Sequence, residues 1–273
     1  MVRGPRTTLW LVIRLQRTVR FAAVAPSGTP RSGYGGWPSA DRGEPWYEAV
    51  VTCAGAADPR AGYLIDIKVI DRAVRETLAR ACVGMAAGTG REPCGVLGGE
   101  LAPMQGLLGG ILESVRWRLT PYYSLEMSVK NTGRALLRQR FDFAASHRLF
   151  VPGLSDEENA RLFGKCSRVN GHGHNYQLEP CVEVAVDGCG RTAMMPGALE
   201  EIVARVILDR FDHTHLNLDT PEFSPAGGLN PTVENIAMVF HGLLRPEIER
   251  QAGASLRSVT VWETDRTSAT FGE

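Results

Sequence analysis

The chain has 273 residues, 44% of them apolar, and 30 Lys and Arg residues balance 30 Asp and Glu residues. This length accommodates one large domain or two of ordinary size, with a substantial core. The neutral balance provides no overall field to attract nucleic acid or an anionic membrane, so we expect neither as a partner.

The six cysteines occur at irregular spacings without a CxxC pair. This usage is typical of reduced thiols in a cytoplasmic protein rather than of a disulfide framework. Near the N-terminus, the apolar run from Leu9 to Ile13 is too short for a signal peptide or a membrane span. We interpret it as a β-strand preceded by a loose extension, and assign residues 1–17 to an N-terminal extension.

The N-terminal half, residues 18–137, combines strand-like alternation with one amphipathic helical segment. The pattern predicts strands at 18–26 and 46–55, a turn, a short strand end and a helix within 58–78, and a hairpin at 114–129. Residues 80–112 are rich in Gly, which predicts a shortened connection with only a weak helix near 101–113.

The C-terminal half, residues 138–273, contains longer and clearer elements. The pattern predicts strands at 138–149 and 174–186, helices at 198–211 and 230–244, and a final hairpin from 257 to 273. Thr232, after Pro231, is a plausible N-cap of the second helix. The N-terminal half resembles a blurred copy of this arrangement, with an offset between matched positions that grows from about 122 to about 144 residues.

Three of the six histidines form the most informative pattern. His172 and His174 are separated by one residue, so on a strand both imidazoles point to the same face. His147 ends the preceding predicted strand. Three neutral imidazoles with an open fourth position are typical of a catalytic zinc site. The alternative is that the HGH segment is a loop without a metal.

Cys166 precedes His172 by six residues, in a Gly-flanked polar loop beside Lys165 and Arg168. A thiol close to Zn²⁺ and to basic groups ionises more readily than a free one, and its thiolate serves as a base or as a metal ligand. The alternative is a small buried apolar side chain.

Two further positions carry groups that suit proton transfer or ligand recognition. Asp212 and His213 follow the first helix and could relay a proton, or could simply complement the helix end. His215 is a weaker candidate of the same kind. Glu263 ends a strand, where its carboxylate could accept two N–H groups from a planar heterocycle, although most strand-end carboxylates are only solvated. Glu234 is most simply a first-turn carboxylate.

The segments FAASHRL, LSDEENARLFGKC, NGHGHNY, FDHTHLNLD, NPTVENIA and VTVWET occur in this order across residues 143–264. Together they resemble the 6-pyruvoyl-tetrahydropterin synthase and 6-carboxytetrahydropterin synthase family. The resemblance implies an α+β fold, a tandem T-fold in which each half has a four-stranded antiparallel sheet with two helices on one face. It also implies homo-oligomers with active sites at subunit interfaces.

The resemblance also implies Zn²⁺ as cofactor and 7,8-dihydroneopterin triphosphate as substrate. His147, His172 and His174 match the zinc ligands, Cys166 the catalytic thiol, and Asp212 and His213 its proton-relay partners. Glu263 matches the residue that anchors the pterin, and Thr232 falls in the segment near the pterin. We expect residues 18–137 to be a degenerate T-fold domain without a metal site, and 138–273 the catalytic one.

Two lyase products fit this family. Five residues separate Cys166 from His172, a spacing that resembles the pyruvoyl type, so we favour loss of triphosphate to give 6-pyruvoyl-tetrahydropterin. The alternative on the same substrate is the 6-carboxy product, on the way to queuosine and other deazapurines. A non-catalytic pterin- or partner-binding protein and a T-fold enzyme for another pterin or purine-like substrate are further alternatives.

The N-terminal half departs from the family at each matched functional position. Ala25, Gly43 and Pro45 stand where the three histidines are expected, and Leu119 stands where the anchoring glutamate is expected. We therefore expect no zinc there. In the C-terminal half, Met195 and Pro196 replace the usual pair that leads into the first helix, so we expect a local rearrangement at that helix start.

Overall fold

The computed structural model describes residues 12–23, 45–86 and 92–273. The chain divides into two compact units. The first comprises Met1–Ala135 together with Val186–Arg191, and the second comprises Leu136–Ala185 and Thr192–Glu273. No helix within the described ranges is both long and apolar enough to cross a membrane.

The first unit contains an antiparallel set of strands in the order β1–β2–β3–β4. Its elements in chain order are β1 (Ile13–Ala22), β2 (Trp46–Gly55), α1 (Ile67–Glu76), α2 (Leu78–Ala86), α3 (Pro93–Leu107), β3 (Leu112–Arg118) and β4 (Tyr123–Ser128). Three helices thus accompany these strands where two were expected. The segment 56–66 forms no strand, contrary to the short strand end expected there.

Side chains at alternate strand positions form the core of the first unit. Val19, Val51 and Trp117 are almost completely buried, as their period-two spacing requires on one face of a pleated sheet. In α1, Ile70 and Val74 are fully buried, and the Asp66 carboxylate caps the helix by accepting from the Lys68 N–H. Ile67, the first residue of α1, is 44% exposed because it occupies the first turn.

Helix α3 differs from the weak helix predicted near 101–113. It begins at Pro93, eight residues earlier, and ends at Leu107. Its buried apolar residues Val96, Leu97 and Leu101 outweigh the low helix propensity of its glycines. Gly95 has a packing role, because a Cβ there would lie 3.1 Å from the Gly190 Cα. Glycine therefore permits a close backbone approach.

The second unit begins within β5 (Asn131–Gln139), which belongs in part to each unit. Its further elements in chain order are β6 (Phe141–His147), α4 (Asp156–Phe163), β7 (His172–Ala185), α5 (Pro196–Val203), α6 (Asp209–Phe211), β8 (Thr214–His215), α7 (Leu216–Asp219), α8 (Val233–Glu249), β9 (Ala254–Thr264) and β10 (Thr267–Gly272). A π-helical turn, Ala204–Leu208, connects α5 to α6, and Gly164–Ser167 and Pro221–Phe223 are short 3₁₀ helices.

Strands β6, β7, β9 and β10 pair antiparallel in that order, and β8 adds a two-residue parallel contact to the free side of β6. The register places His147 opposite His172 and Ala145 opposite His174. Phe143, on the same face as His147, stacks on Tyr176 at 4.9 Å between ring centroids and also contacts Phe240 of α8. This aromatic packing fixes the strand face that carries the histidines.

The helix starts of the second unit follow their local sequences. Thr232 caps α8, as predicted, by accepting a hydrogen bond from the Asn235 N–H. Met195 and Pro196 begin α5 without a side-chain cap, whereas Asp66 caps α1 in the first unit. Ser155 and Glu158 form a reciprocal capping box at α4, a helix that we did not predict.

Candidate active site and metal centre

Three imidazoles converge at adjoining ends of β6 and β7. His147, His172 and His174 offer ring nitrogens that all lie within 4.8 Å of one another. The His147 Nε2 and the His172 Nε2 are 3.1 Å apart. Two ligand nitrogens on a tetrahedral zinc ion with bonds of 2.0–2.1 Å would be separated by roughly 3.3 Å. The spacing of this pair therefore suits a tetrahedral metal.

The environment of His147 fixes which of its nitrogens is available. The ring is fully buried, and its Nδ1 donates a hydrogen bond of 2.8 Å to the Pro231 carbonyl. The Nε2 consequently keeps a free lone pair directed at the other imidazoles. Burial lowers the pKa of His147 to about 4, against the raising effect of the bond to Pro231. The neutral, metal-competent form of the ring predominates at pH 7.

His174 also fits a metal ligand. Its Nε2 is buried and makes no hydrogen bond in the described structure. Burial lowers the pKa of His174, although the neighbouring Glu263 charge raises it. A buried imidazole nitrogen without a hydrogen-bond partner is costly unless it binds an ion. A donor set of three imidazoles is the one that zinc prefers in open catalytic sites.

Two further side chains border the imidazoles. The Glu263 carboxylate, near the end of β9, places Oε1 3.5 Å from the His147 Nε2 and 3.7 Å from the His174 Nε2. The fully buried Tyr176 hydroxyl lies 3.4 Å from the His147 Nδ1 and 3.5 Å from its Nε2. Burial raises the pKa of Tyr176, and the neighbouring Glu263 carboxylate adds to the shift. The phenol therefore stays protonated.

Cys166 lies in the 3₁₀ helix Gly164–Ser167 and is partly exposed. Its carbonyl accepts a 2.9 Å hydrogen bond from the Leu149 N–H, two residues beyond His147. The Arg148 guanidinium holds the next residue, because its Nε donates to the Ser167 carbonyl at 2.7 Å. These contacts attach the thiol-bearing segment to the end of the strand that carries His147.

The side chains of Asp212 and His213 contact each other beside β6. Asp212 accepts from the Ala144 N–H through Oδ1 at 2.7 Å, and its Oδ2 lies 2.9 Å from the His213 Nδ1. Burial alone would raise the pKa of Asp212, but these two partners lower it overall. The His213 side chain is 82% exposed, and its φ of 57° is the only positive value at a non-glycine residue in the described chain.

The Asp212–His213 pair makes no hydrogen bond or ion pair with the Cys166 thiol in the part of the chain that the structure describes. His213 instead borders a groove of about 480 Å³. Its other lining residues are Ala144, Ala145, Ser146, Gly173, His174, Asn175, Thr214 and His215. Ala144, Ser146, Gly173 and Asn175 alternate with the residues on the histidine face, so the groove lies largely on the opposite side of β6 and β7.

His215 lies beside the turn that precedes the imidazole cluster. A Cβ at Gly171 would approach the His215 Nε2 to 3.0 Å and the His147 carbonyl to 2.7 Å. Gly171 has a φ of +66°, so glycine is required there both for the backbone conformation and for this close packing. The ring thus packs against the turn that leads into His172.

The sequence did not indicate several residues that position the site. Asn217 is buried and clamps Arg148, accepting from its N–H at 2.7 Å and donating to its carbonyl at 3.1 Å. The Pro231 carbonyl orients His147, and the Asn230 side chain accepts from the Phe150 N–H at 3.3 Å. Asparagines in loops carry no pattern that reveals such contacts in a single sequence. Thr232, predicted to lie near the pterin, uses its hydroxyl for the helix cap.

The matched positions of the first unit carry no comparable cluster among its described residues. Pro45 offers its carbonyl to the Ala23 N–H, and Leu119 follows β3. Ala25 and Gly43 lie outside the described residues.

The second half of the chain matches known proteins. The family model described as 6-pyruvoyl tetrahydropterin synthase matches residues 136–273. The 6-pyruvoyl tetrahydrobiopterin synthase of Homo sapiens is 37% identical over 142 residues, covering 51% of this chain and 94% of that protein. The Drosophila melanogaster protein of the same name is 38% identical over 118 residues, covering 42% of this chain and 67% of its own.

Among solved structures, the 6-pyruvoyl tetrahydropterin synthase of Caenorhabditis elegans is 31% identical, with a TM-score of 0.46 over 51% of this chain and 96% of that one. The family model covers half of this chain, and it includes all three histidines, Cys166 and Glu263. The chain therefore belongs to the 6-pyruvoyl tetrahydropterin synthase family.

Proposed function

We propose that this protein is a zinc-dependent lyase that converts 7,8-dihydroneopterin triphosphate to 6-pyruvoyl-tetrahydropterin with loss of triphosphate. The observation that carries the proposal is the convergence of His147, His172 and His174 beside the segment that holds Cys166. Membership of the family supports the pterin substrate.

In this proposal, His147, His172 and His174 hold Zn²⁺. When bound, the ion acts as a Lewis acid that acidifies the hydroxyls and the adjacent C–H bonds of the substrate side chain. The Pro231 carbonyl keeps His147 in the tautomer that such a ligand needs. The aromatic packing of Phe143 and Tyr176 holds the strand face rigid, which preserves the geometry of the ligands.

The protein's own groups supply the proton transfers. We assign Cys166 as the base that moves a proton on the substrate side chain. The Glu263 carboxylate binds the pterin by accepting hydrogen bonds from the N–H groups of the ring. The segment that contains Thr232 borders the ring. This anchoring directs the substrate side chain toward the imidazoles.

Asp212 and His213 are assigned as the relay that receives the proton from Cys166. His213 borders a groove that lies largely on the face opposite the histidine cluster, and we propose on this basis a shared site, in which a neighbouring subunit provides the pair. The strongly exposed His213 ring is available for such a contact. We therefore propose a homo-oligomer, built from chains in which two T-fold halves follow one another and only the second half binds metal.

One experiment tests the reaction. The purified protein is incubated with 7,8-dihydroneopterin triphosphate, with and without a metal chelator, and the products are identified by mass spectrometry. We expect release of triphosphate and formation of the pyruvoyl product, both abolished by the chelator and by Cys166→Ala.

The same experiment separates the alternatives. A product shorter by two carbons would assign the chain to the 6-carboxy reaction. Binding of the substrate without turnover in the metal-loaded protein would reject the lyase in favour of a binding protein.

A further inference from the structure

The Glu263 carboxylate is directed at the imidazole cluster rather than at solvent. Its side chain is 21% exposed, and Oε1 approaches two ring nitrogens, the His147 Nε2 at 3.5 Å and the His174 Nε2 at 3.7 Å. Ligand atoms on a tetrahedral zinc ion with bonds near 2.0–2.2 Å are separated by roughly 3.3–3.6 Å. The distances from the carboxylate oxygen to two of the three imidazoles are thus close to those between two ligand atoms of one zinc ion.

A hydrogen bond does not account for the short distance between the Glu263 carboxylate and the His147 Nε2. The Nδ1 of that ring donates to the Pro231 carbonyl, so its Nε2 presents a lone pair to the carboxylate. Two acceptors that face each other repel unless a cation lies between them. The His174 Nε2 likewise has no hydrogen-bond partner. An ion shared by the imidazoles and the carboxylate would satisfy all of these atoms.

We propose that Glu263 is a fourth ligand of the resting metal ion and that a pterin ring displaces it. The carboxylate would then exchange between two partners, the metal before substrate binds and the pterin N–H groups afterwards. Its departure opens the coordination position that the substrate hydroxyls require. The displacement step rests on the proposed function, whereas the ligation of the resting metal does not.

The test uses Co²⁺ as a spectroscopic probe in the full-length protein, since its visible absorption responds to the number and type of ligands. Zinc affinity is measured in parallel by competition with a chelator. Glu263→Gln removes the charge without changing the shape. The matched control is Glu234→Gln, which changes an exposed first-turn carboxylate of α8 outside the cluster.

We expect Glu263→Gln to lower zinc affinity by about tenfold or more and to change the Co²⁺ spectrum of the resting protein, while Glu234→Gln changes neither. Identical resting spectra and affinities for Glu263→Gln and the unmodified protein would overturn the ligand assignment.

A second arm adds 7,8-dihydroneopterin, which lacks the triphosphate. We expect it to shift the Co²⁺ spectrum of the unmodified protein toward that of Glu263→Gln. No shift at saturating pterin would overturn the displacement. Absence of turnover with the triphosphate substrate would reject the proposed function alone, because the resting spectra report ligation independently of catalysis.

Discussion

Burial and one backbone hydrogen bond together determine the chemistry of His147. The side chain has no exposure to solvent, and the Pro231 carbonyl accepts a hydrogen bond from its Nδ1. A protonated imidazole in this place would lose its hydration and would face two further imidazoles. The imidazole is therefore neutral in the folded protein, as a metal ligand has to be, and its protonation opposes folding.

This burial predicts a pH dependence of stability for the metal-free protein. The pKa of His147 falls from 6.5 to about 4 on folding, so between these values the unfolded chain binds a proton that the folded chain does not. The free energy of unfolding should therefore decrease as the pH falls from about 6.5 to about 4, by at most roughly 1.4 kcal/mol per pH unit from this group.

Urea denaturation of the metal-free protein across this pH range measures the effect. Because other groups also titrate there, the comparison is with His147→Gln, whose stability should depend less steeply on pH. Equal slopes for the two proteins would show that His147 is not buried in its neutral form.

At the scale of elements, the loops around the site are held by side-chain amides. Asn217 joins the start of α7 to the residue that follows His147, with one hydrogen bond in each direction to the Arg148 backbone. Asn159 plays a similar part at α4, where it accepts from the Val151 N–H and donates to three carbonyls. The site is therefore supported by loops that are themselves tightly bonded.

We predict that Asn217→Ala destabilises the protein by about 1–3 kcal/mol, because it removes a buried side chain and leaves the partly buried N–H and carbonyl of Arg148 without these partners. Zinc affinity should fall as well, since Arg148 follows His147, one of the three proposed ligands. The control is Asn175→Ala, at an exposed position of β7, which should leave both quantities unchanged. Urea denaturation and chelator competition provide the measurements, and equal stability of the two variants would contradict the role of Asn217.

A second prediction at this scale concerns the packing of α3 in the first unit. Gly190 has a φ of +81°, and a Cβ there would lie 2.1 Å from the Gly95 Cα. Gly190→Ala should therefore cost about 1–3 kcal/mol or more, because backbone rather than a flexible side chain must move. Gly188→Ala in the same turn meets nothing within 4 Å and serves as the control. Similar denaturation midpoints for both variants would refute the close approach.

For the whole molecule, the proposed shared site predicts complementation between subunits. Cys166→Ala and His213→Ala should each be inactive alone. Co-expressed with different tags and purified as mixed oligomers, they should regain part of the activity, since some sites combine an intact thiol with an intact relay from the neighbour.

The control mixes Cys166→Ala with the double variant Cys166→Ala/His213→Ala, in which no site has a thiol, and no activity should return. If mixed oligomers of the two single variants are no more active than either variant alone, the proposed sharing is wrong. The relay and the thiol then act within the same chain, or they do not take part in the same reaction.

The sequence by itself determined that His172 and His174 share a strand face, that Thr232 caps α8, and that the three clustered histidines all belong to the second half of the chain. These properties depend on local periodicity and residue type, which a single sequence displays directly. The extent of α3 was predicted wrongly because burial of its apolar residues, a tertiary effect, overcame the low propensity of its glycines.

Only the tertiary structure decided how the site is completed. The contacts of His147 with Pro231, of Asn217 with Arg148 and of Glu263 with two imidazoles join residues that are 69 or more positions apart in sequence, where no periodic pattern links them. Side-chain contacts of this kind depend on how distant segments are brought together by packing, and that information is absent from local propensity.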